Sequence, residues 1–191
     1  MDYLVDTNVL IQWGSSLTTR YSVARAALKR LRRHNHRLCV ASQNLIEFWN
    51  VATRPANKNG LGMNPLVAAR VLRMLERFFV LLPDTPQIYQ EWRRIVMEHQ
   101  VLGVQVHDAH LVAVMRGHNV THILTFNVKD FIRLAQESAH AGRHHAGIIV
   151  SDHLPFRELL RRILVLLQRQ ANTDLRNTLL WLHDFKDADV G

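Results

Sequence analysis

The chain has 191 residues, of which 48% are hydrophobic, and it carries a formal net charge of +8. This length and apolar content fit one globular domain and exclude a disordered chain. Uninterrupted apolar runs such as Phe78–Leu82 are far shorter than the roughly 20 residues of a membrane helix, and Met1-Asp2 begins no basic signal segment, so we expect neither insertion nor export. The single cysteine, Cys39, cannot form an intramolecular disulfide, which agrees with a reducing cytoplasm.

The positive charge is confined to one part of the chain. Residues 151–191 contain six basic and six acidic side chains, so all of the net charge lies in residues 1–150. The segment 20–37 holds seven Arg or Lys residues and no acid. Such a segment favours a polyanionic partner, although a solvated basic helix face has the same pattern.

Apolar runs alternate along the chain with segments of helical periodicity. The runs predict strands near residues 3–6, 38–41, 79–82, 121–125 and 147–150. Helices are predicted at about 20–34, 43–53, 65–77, 86–100 and 107–117. This alternation predicts an α/β fold, with three α/β/α layers around a central, mostly parallel five-stranded sheet.

Two amphipathic stretches follow the fifth predicted strand. Apolar residues recur at spacings of three and four over 156–167 and again over 175–185, and this pattern predicts two helices. We therefore expect a domain over residues 1–150 and a C-terminal helical extension over 151–191 that packs on the same domain. In the alternative arrangement, the extension forms a dimer or partner surface.

Three carboxylates far apart in the sequence each lie beside an apolar run: Asp6 after the first strand, and Glu47 and Asp108 in predicted helices. Asp6 is expected in the crevice at the carboxyl ends of the parallel strands, where open α/β sheets bind ligands. Like charges about 4 Å apart repel by roughly 1 to 4 kcal/mol, depending on the dielectric constant, so a shared site needs a cation. Oxygen ligands select a hard ion such as Mg²⁺ or Mn²⁺. Such an ion beside a basic segment predicts hydrolysis of a nucleic-acid backbone.

Each of these acids, taken alone, also has a structural explanation. Asp6 or Asp108 could cap a helix, and Glu47 could face solvent from a helix surface. The 12 histidines, densest over 140–145, lack the paired Cys and His spacings of structural zinc sites, so we expect no zinc.

Four motifs, in this order, resemble the PIN-domain nucleases, and among them the VapC-type toxins of bacterial toxin–antitoxin pairs. They are the segments LVDTNVLI at 4–11, EF at 47–48, HDAHLVA at 107–113 and ILTFNVKDF at 123–131. The resemblance covers roughly residues 1–135. It implies an endoribonuclease with an acidic cluster that binds Mg²⁺ or Mn²⁺, which is usually a homodimer and is held inactive by a cognate antitoxin.

Carried over by position, the resemblance implies that Asp6, Glu47 and Asp108 are metal ligands and catalytic residues. The Thr7 hydroxyl follows the first acid and would steady a carboxylate or the water. The fourth position, often Asp in the family, is Asn127 here, and Asp130 lies three residues later. Asn127 would hold a water or the substrate, whereas Asp130 would supply the fourth charge or cap a helix.

The sequence therefore predicts a cytoplasmic Mg²⁺- or Mn²⁺-dependent ribonuclease that hydrolyses RNA phosphodiester bonds, with an antitoxin as partner and a homodimer as its assembly. Arg25, Lys29, Arg32 and Arg33 would position the RNA through phosphate contacts. Two other functions remain open. One is a PIN-fold RNA-binding or RNA-processing module with weak or no catalytic activity. The other is a phosphoacceptor domain phosphorylated at Asp6, which is disfavoured because no second acid follows two residues later.

Overall fold

The structure is a computed structural model of the chain. It describes residues 2–16, 18, 21–120, 122–125, 148–150, 162, 165, 166, 169, 179–181 and 184. The elements in chain order are β1 (Asp2–Val5), α1 (Thr7–Gly14), α2 (Tyr21–Arg33), β2 (Arg37–Ala41), α3 (Ser42–Thr53), a 3₁₀ turn (Ala56–Lys58), α4 (Pro65–Phe78), β3 (Val80–Leu82), α5 (Pro86–Glu98), α6 (Gln105–Gly117), β4 (His122–Leu124), β5 (Ile148–Val150) and β6 (Leu179–Trp181). None of the helices in the described ranges is both long and apolar enough to cross a bilayer.

Four parallel strands form the main sheet, in the order β3-β2-β1-β4. The central strand β1 pairs with β2 on one side, where Leu4 lies opposite Cys39, and with β4 on the other, where Leu4 lies opposite Ile123. Strand β3 extends the sheet beyond β2, with Val40 opposite Leu81. Leu4, Cys39 and Val40 are fully buried, which explains why these strands are continuous apolar runs in the sequence.

Helices cover both faces of the sheet. Helices α1 to α4 pack on one face, in a core cluster that includes Tyr3, Val5 and Leu38. Helices α5 and α6 pack on the other face, against Leu4 and Cys39. Neighbouring residues of one strand therefore point into different cores, as the strand pleat requires. The predicted α/β architecture with a parallel sheet between helical layers is confirmed.

The fifth predicted strand forms, but it lies outside the main sheet. Strand β5 pairs in parallel with β6, from Ile148 opposite Leu179 to Val150 opposite Trp181. In the described part of the chain the main sheet therefore has four strands rather than the predicted five. The prediction of a helix over 175–185 is wrong at β6. Hydrophobic periodicity cannot distinguish a strand from a helix in so short a leucine-rich run.

Strand β6 belongs to the segment beyond residue 150, and its backbone pairs with the strand that ends at that residue. Arg162, Val165 and Leu166, which lie within the first predicted C-terminal helix, have helical backbone. Few other residues of that segment are described. The division into a domain over 1–150 and a C-terminal helical extension over 151–191 stays a prediction.

Helix α1 is absent from the sequence-based prediction, whereas the other five helices match their predicted limits within two residues. Strand β1 ends one residue before Asp6, and α1 begins one residue after it. Asp6 caps the helix, because its Oδ1 accepts the backbone N–H of Thr7 at 2.6 Å. Leu10 and Trp13 of α1 are buried, so the apolar residues after Asp6 continue the apolar pattern of β1 in the sequence. This pattern hides the start of the helix.

Candidate active site

Asp6 occupies the junction between the central strand and α1, at the carboxyl edge of the sheet. Its backbone N–H donates to the carbonyl of Leu124 at 3.0 Å, which fixes the residue to the end of β4. Its Oδ1 accepts the N–H of Thr7, and its Oδ2 accepts from Asn8 Nδ2 at 2.7 Å and from Thr125 Oγ1 at 2.6 Å. Asn8 also donates to Thr125 at 3.1 Å. Three donors therefore hold this carboxylate in a single orientation. Two of them follow β1 in the chain, and the third follows β4.

Burial raises the pKa of Asp6 from 3.8 to about 6, because an ionised carboxylate is costly away from water. The hydrogen bonds from Thr125, from the N–H of Thr7 and from Asn8 oppose this rise, and the charge of Glu47 adds to it. The side chain is only 6% exposed. A cation beside this carboxylate would offset the cost of keeping it ionised at neutral pH.

Glu47 reaches the same place from α3, which begins directly after β2. Its Oε2 accepts the hydroxyl of Thr7 at 2.7 Å, so the residue next to Asp6 also orients the second acid. The Thr7 hydroxyl in turn accepts from Asn44 Nδ2 at 3.2 Å. Asn44 is fully buried, and its Oδ1 accepts the N–H of Ala41 at 2.8 Å. Asn44 thereby starts α3 and fixes the hydroxyl that holds Glu47.

The first turn of α6 lies against Glu47. Gln43 Nε2 donates to Glu47 Oε1 at 2.7 Å and to the carbonyl oxygen of His107 at 3.2 Å. The Nδ1 atom of His107 lies 3.4 Å from the same Glu47 oxygen. Asp108 follows His107 in that turn and is half-buried. The structure thus joins Asp6 to Glu47 through Thr7 and brings the helix turn that carries Asp108 to this pair.

Two further predicted site residues, Asn127 and Asp130, lie outside the described residues. Sequence reasoning missed four neutral side chains: Asn8, Gln43, Asn44 and Thr125. Asn8 and Thr125 follow the ends of β1 and β4, and this position beside the carboxyl edge is the signal that could have indicated them. For Asn44 and Gln43 the sequence offers only polar residues in the first turn of a helix, which are common in any helix.

The predicted phosphate-binding residues of α2 lie away from the acids. The guanidinium of Arg25 lies 4.8 Å from the centre of the Trp13 ring, near the far end of α1, about 10 Å along the helix from Asp6. The guanidinium of Arg32 lies 5.0 Å from the centre of the Phe78 ring, just before β3 begins. These arginines therefore face the amino edge of the sheet rather than the site at its carboxyl edge.

The donor set fits a hard divalent cation. Asp6 accepts the backbone N–H of Thr7 and Glu47 accepts the hydroxyl of the same residue, so two carboxylates meet at Thr7. In the ranges that the structure describes, no three His, Cys, Asp or Glu side chains form a group that could hold a metal ion. Mg²⁺ is commonly bound by one or two carboxylates with water as its remaining ligands, so the Asp6 and Glu47 pair suits this ion.

Several solved structures share this fold. VapC20 from Mycobacterium tuberculosis, a sarcin–ricin-loop-cleaving toxin, has a TM-score of 0.52 and 18% identity over 69% of this chain and 94% of its own. VapBC2 from Rickettsia felis, bound to a promoter DNA fragment, has a TM-score of 0.53 and 17% identity over 70% of this chain and 92% of its own. VapBC-1 from nontypeable Haemophilus influenzae has a TM-score of 0.51 and 20% identity over 71% of this chain and 94% of its own. At this identity the likeness concerns the fold.

The family of the protein follows from a comparison of its sequence with family models. A search of curated proteins found no match. A family model for the PIN domain matches residues 3–137, a range that holds Asp6, Glu47, Asp108 and the strands of the main sheet. Because this match spans well over half of the chain, the protein belongs to the PIN domain family.

Proposed function

We propose that the protein is a metal-dependent endoribonuclease that hydrolyses RNA phosphodiester bonds and serves as the toxin of a type II toxin–antitoxin pair. The observation that carries this proposal is the pairing of Asp6 and Glu47 through Thr7. A buried carboxylate of raised pKa beside a second acid is an arrangement that costs stability unless it serves a ligand. Membership of the PIN domain family and the fold shared with the toxin VapC20 support a ribonuclease.

Asp6 and Glu47 would hold Mg²⁺ or Mn²⁺, and Asp108 would join them as the third ligand and catalytic acid when the ion is bound. When bound, such an ion lowers the pKa of a coordinated water and neutralises charge on the phosphodiester. Asn8 and Thr125 keep Asp6 oriented through the hydrogen bonds to its Oδ2. Their role is therefore to fix the carboxylate before the substrate arrives, which reduces reorganisation during the reaction.

Thr7 orients Glu47 by donating to its Oε2, and Gln43 orients the other oxygen of the same carboxylate. We propose Asn127 or Asp130 as the fourth residue of the site, by analogy with the family's fourth acidic position. Asn127 is neutral, so a firmly bound single ion agrees better with this chain than a pair of ions.

A cognate antitoxin and a second copy of the chain are the proposed protein partners. Support comes from VapBC2 and VapBC-1, whose solved structures are toxin–antitoxin complexes by name and share this fold. An antitoxin would block a site that otherwise damages the RNA of its own cell. Action on cellular RNA also places the protein in the cytoplasm in this proposal.

The test is cleavage of a mixed pool of structured RNA with Mg²⁺, Mn²⁺ or EDTA. Wild type, Asp6→Asn and Asp108→Asn are compared with Glu76→Gln, which changes an exposed acid on α4 by the same charge. We expect cation-dependent cutting by wild type and Glu76→Gln and none by the two site variants. Cutting that persists in EDTA would contradict the proposal. RNA binding without cutting under every condition would favour a PIN-fold RNA-binding module instead.

A further inference from the structure

Exposed basic side chains are concentrated on α2 and α4, two helices that pack on the same face of the sheet. We define the basic surface by Arg25, Lys29, Arg30, Arg32 and Arg33 of α2 and by Arg70, Arg73 and Arg77 of α4. Arg25 is half-buried and the others are exposed. Residues 70, 73 and 77 share one helix face by their spacing of three and four, and residues 25, 29 and 33 share another. The two helices lie on the same face of the sheet, and their last turns come together where the guanidinium of Arg32 lies 5.0 Å from the centre of the Phe78 ring.

Basic residues of the two helices meet at the amino edge of the sheet. Arg32 and Arg77 line one open groove of about 300 Å³, together with Arg37 at the start of β2 and Phe78 just before β3. These are positions where strands begin, whereas Asp6 lies where a strand ends. The groove and the acids are therefore at opposite edges of one sheet.

A second hollow follows the outer face of α2. It has a volume of about 710 Å³, and Tyr21, Arg25, Lys29 and Arg33 are among the residues that line it. The guanidinium of Arg25 donates to the Tyr21 hydroxyl at 2.5 Å, so an aromatic side chain holds it in place. From Arg25 to Arg33 the helix rises about 12 Å. A line of charges of this length suits a polymer with repeated negative charge rather than one small anion.

Within the described part of the chain, the charges of the basic surface have no carboxylate partner, whereas the neighbouring Arg37 has one. Arg37 forms an ion pair with Asp2 at 2.5 Å. Among the described residues, no carboxylate lies within 4.0 Å of Arg25, Lys29, Arg32 or any other member of the basic surface. The helix dipole favours a basic side chain in the last turn, but it does not explain the basic residues that lie further back in α2 and α4.

We propose that the basic surface is an exosite that binds the phosphate backbone of structured RNA at a distance from the active site. The inference deepens the proposed function, because the identity of the ligand as RNA rests on it. Guanidinium groups bind phosphate oxygens in a planar, two-pronged geometry, and the rings of Trp13, Tyr21 and Phe78 orient those of Arg25 and Arg32. Phosphate contacts carry little base information, so the exosite adds affinity and orients a stem without selecting a sequence.

The first experiment measures RNA binding alone. A fluorescent RNA hairpin is titrated in EDTA, by anisotropy, at several salt concentrations between roughly 50 and 200 mM. Arg32→Gln and Arg77→Gln are compared with Arg93→Gln, which removes one exposed charge from α5 in the other helix layer. We expect each exosite variant to bind several-fold more weakly and to reduce the slope of log affinity against log salt by about 0.7 to 0.9. The Arg93 variant should match wild type.

Two results would overturn the inference: wild-type affinity and slope in both exosite variants, or an equal loss in the Arg93 variant. The first would mean that the surface serves another polyanion, such as an acidic segment of a protein partner. Melting temperatures of all variants establish that the fold is retained. Because binding is measured in EDTA, this experiment decides about the exosite even if the protein cuts no RNA, which separates its failure from that of the proposed function.

The second experiment uses cleavage. A dinucleotide substrate has a single phosphodiester bond, so it cannot occupy the active site and the groove at the same time. Arg32→Gln and Arg77→Gln should therefore cut it with wild-type kcat/KM, while KM for a long structured RNA rises several-fold and kcat changes little. A fall in kcat/KM on the short substrate would instead indicate a role inside the active site and contradict the proposal.

Discussion

The Thr7 hydroxyl is bound on two sides, since it donates to Glu47 and accepts from the buried amide of Asn44. Thr7→Val keeps the shape of the side chain and removes both hydrogen bonds. We expect a loss of about 1 to 3 kcal/mol in the free energy of unfolding, because Asn44 and Glu47 lose a partner in a partly buried place. We also expect a 10- to 100-fold fall in activity, about the effect of removing a group that orients a metal ligand.

Urea unfolding and cleavage kinetics measure the two effects of Thr7→Val. Thr7→Ser is the control, because it retains the hydroxyl and should keep most of the activity. Equal losses in the valine and serine variants would show that the methyl group matters rather than the hydrogen bonds.

Asp6 gives the metal-free protein a specific pH dependence. Its pKa is about 6 in the folded chain against 3.8 when exposed, so between these values the folded state binds more protons than the unfolded state. The free energy of unfolding should therefore fall as the pH rises from about 4 to about 6, by about 3 kcal/mol at most. A cation that binds the ionised carboxylate should restore stability at neutral pH.

Urea unfolding in EDTA across this pH range, for wild type and Asp6→Asn, tests the expectation. Burial lowers the pKa values of His36 and His122, so these groups act with the opposite sign, but they do so in both proteins and cancel in the comparison. Parallel stability curves for the two proteins would contradict the role of Asp6. A stabilising effect of Mn²⁺ on the asparagine variant equal to that on wild type would argue against Asp6 as a ligand.

The two acids that the structure brings together could be predicted from the sequence, and their neutral hydrogen-bond partners could not. Asp6 and Glu47 stand out because a charge beside an apolar run is unusual. Asn44 and Thr125 have no such contrast, since single amides and hydroxyls occur in every helix start and strand end. What makes them part of the site is the approach of α3 and β4 to Asp6, which depends on the tertiary fold.

Helix α1 packs closely against its neighbours at its last residue. A Cβ atom added at Gly14 would lie 2.8 Å from Phe48 Cε2 and 3.1 Å from a methyl group of Val71. Phe48 is fully buried and has little room to move. We expect Gly14→Ala to lower the free energy of unfolding by about 1 to 3 kcal/mol, despite the higher helix propensity of alanine.

Chemical denaturation of Gly14→Ala is compared with that of Asn50→Ala, which changes an exposed position of α3. The second substitution should change stability by no more than about 0.5 kcal/mol. A stability gain in Gly14→Ala would mean that Phe48 and Val71 shift without cost.

Two elements show where periodicity fails. Helix α1 follows β1 after a single residue, so its apolar positions merge with those of the strand into one run. Strand β6 is a three-residue leucine-rich segment whose pairing with β5 is set by tertiary structure. The five longer helices each span about three turns or more, so their amphipathic pattern indicates them clearly.

Residues beyond 150 contribute to the fold outside the main sheet, because β5 depends on β6 for its described backbone pairing. A chain that ends at residue 150 removes that partner and leaves a three-residue strand unpaired. We expect a lower melting temperature and a greater tendency to aggregate, since an unpaired strand edge is a template for association. A chain that ends at Asp184 retains β6 and should melt nearer to the full-length protein.

Thermal melting by circular dichroism and size-exclusion chromatography check this prediction. If the chain that ends at residue 150 melts at the full-length temperature and keeps its oligomeric state, residues 151–191 are dispensable for the fold. The unchanged oligomeric state would also contradict the alternative in which these residues form a dimer surface.

Asp6 caps α1 and, in the proposed function, also binds the cation, and these two roles have different chemical demands. Asn, Ser and Thr start a helix about as well as Asp, but none of them brings the charge that a divalent cation needs. A copy of this gene that no longer needs its activity can therefore exchange Asp6 for one of these residues, keep α1, and also escape the cost of a buried carboxylate. Copies with Asn, Ser or Thr at position 6 therefore keep only the fold, whereas copies with Asp also keep the charge that a divalent cation needs.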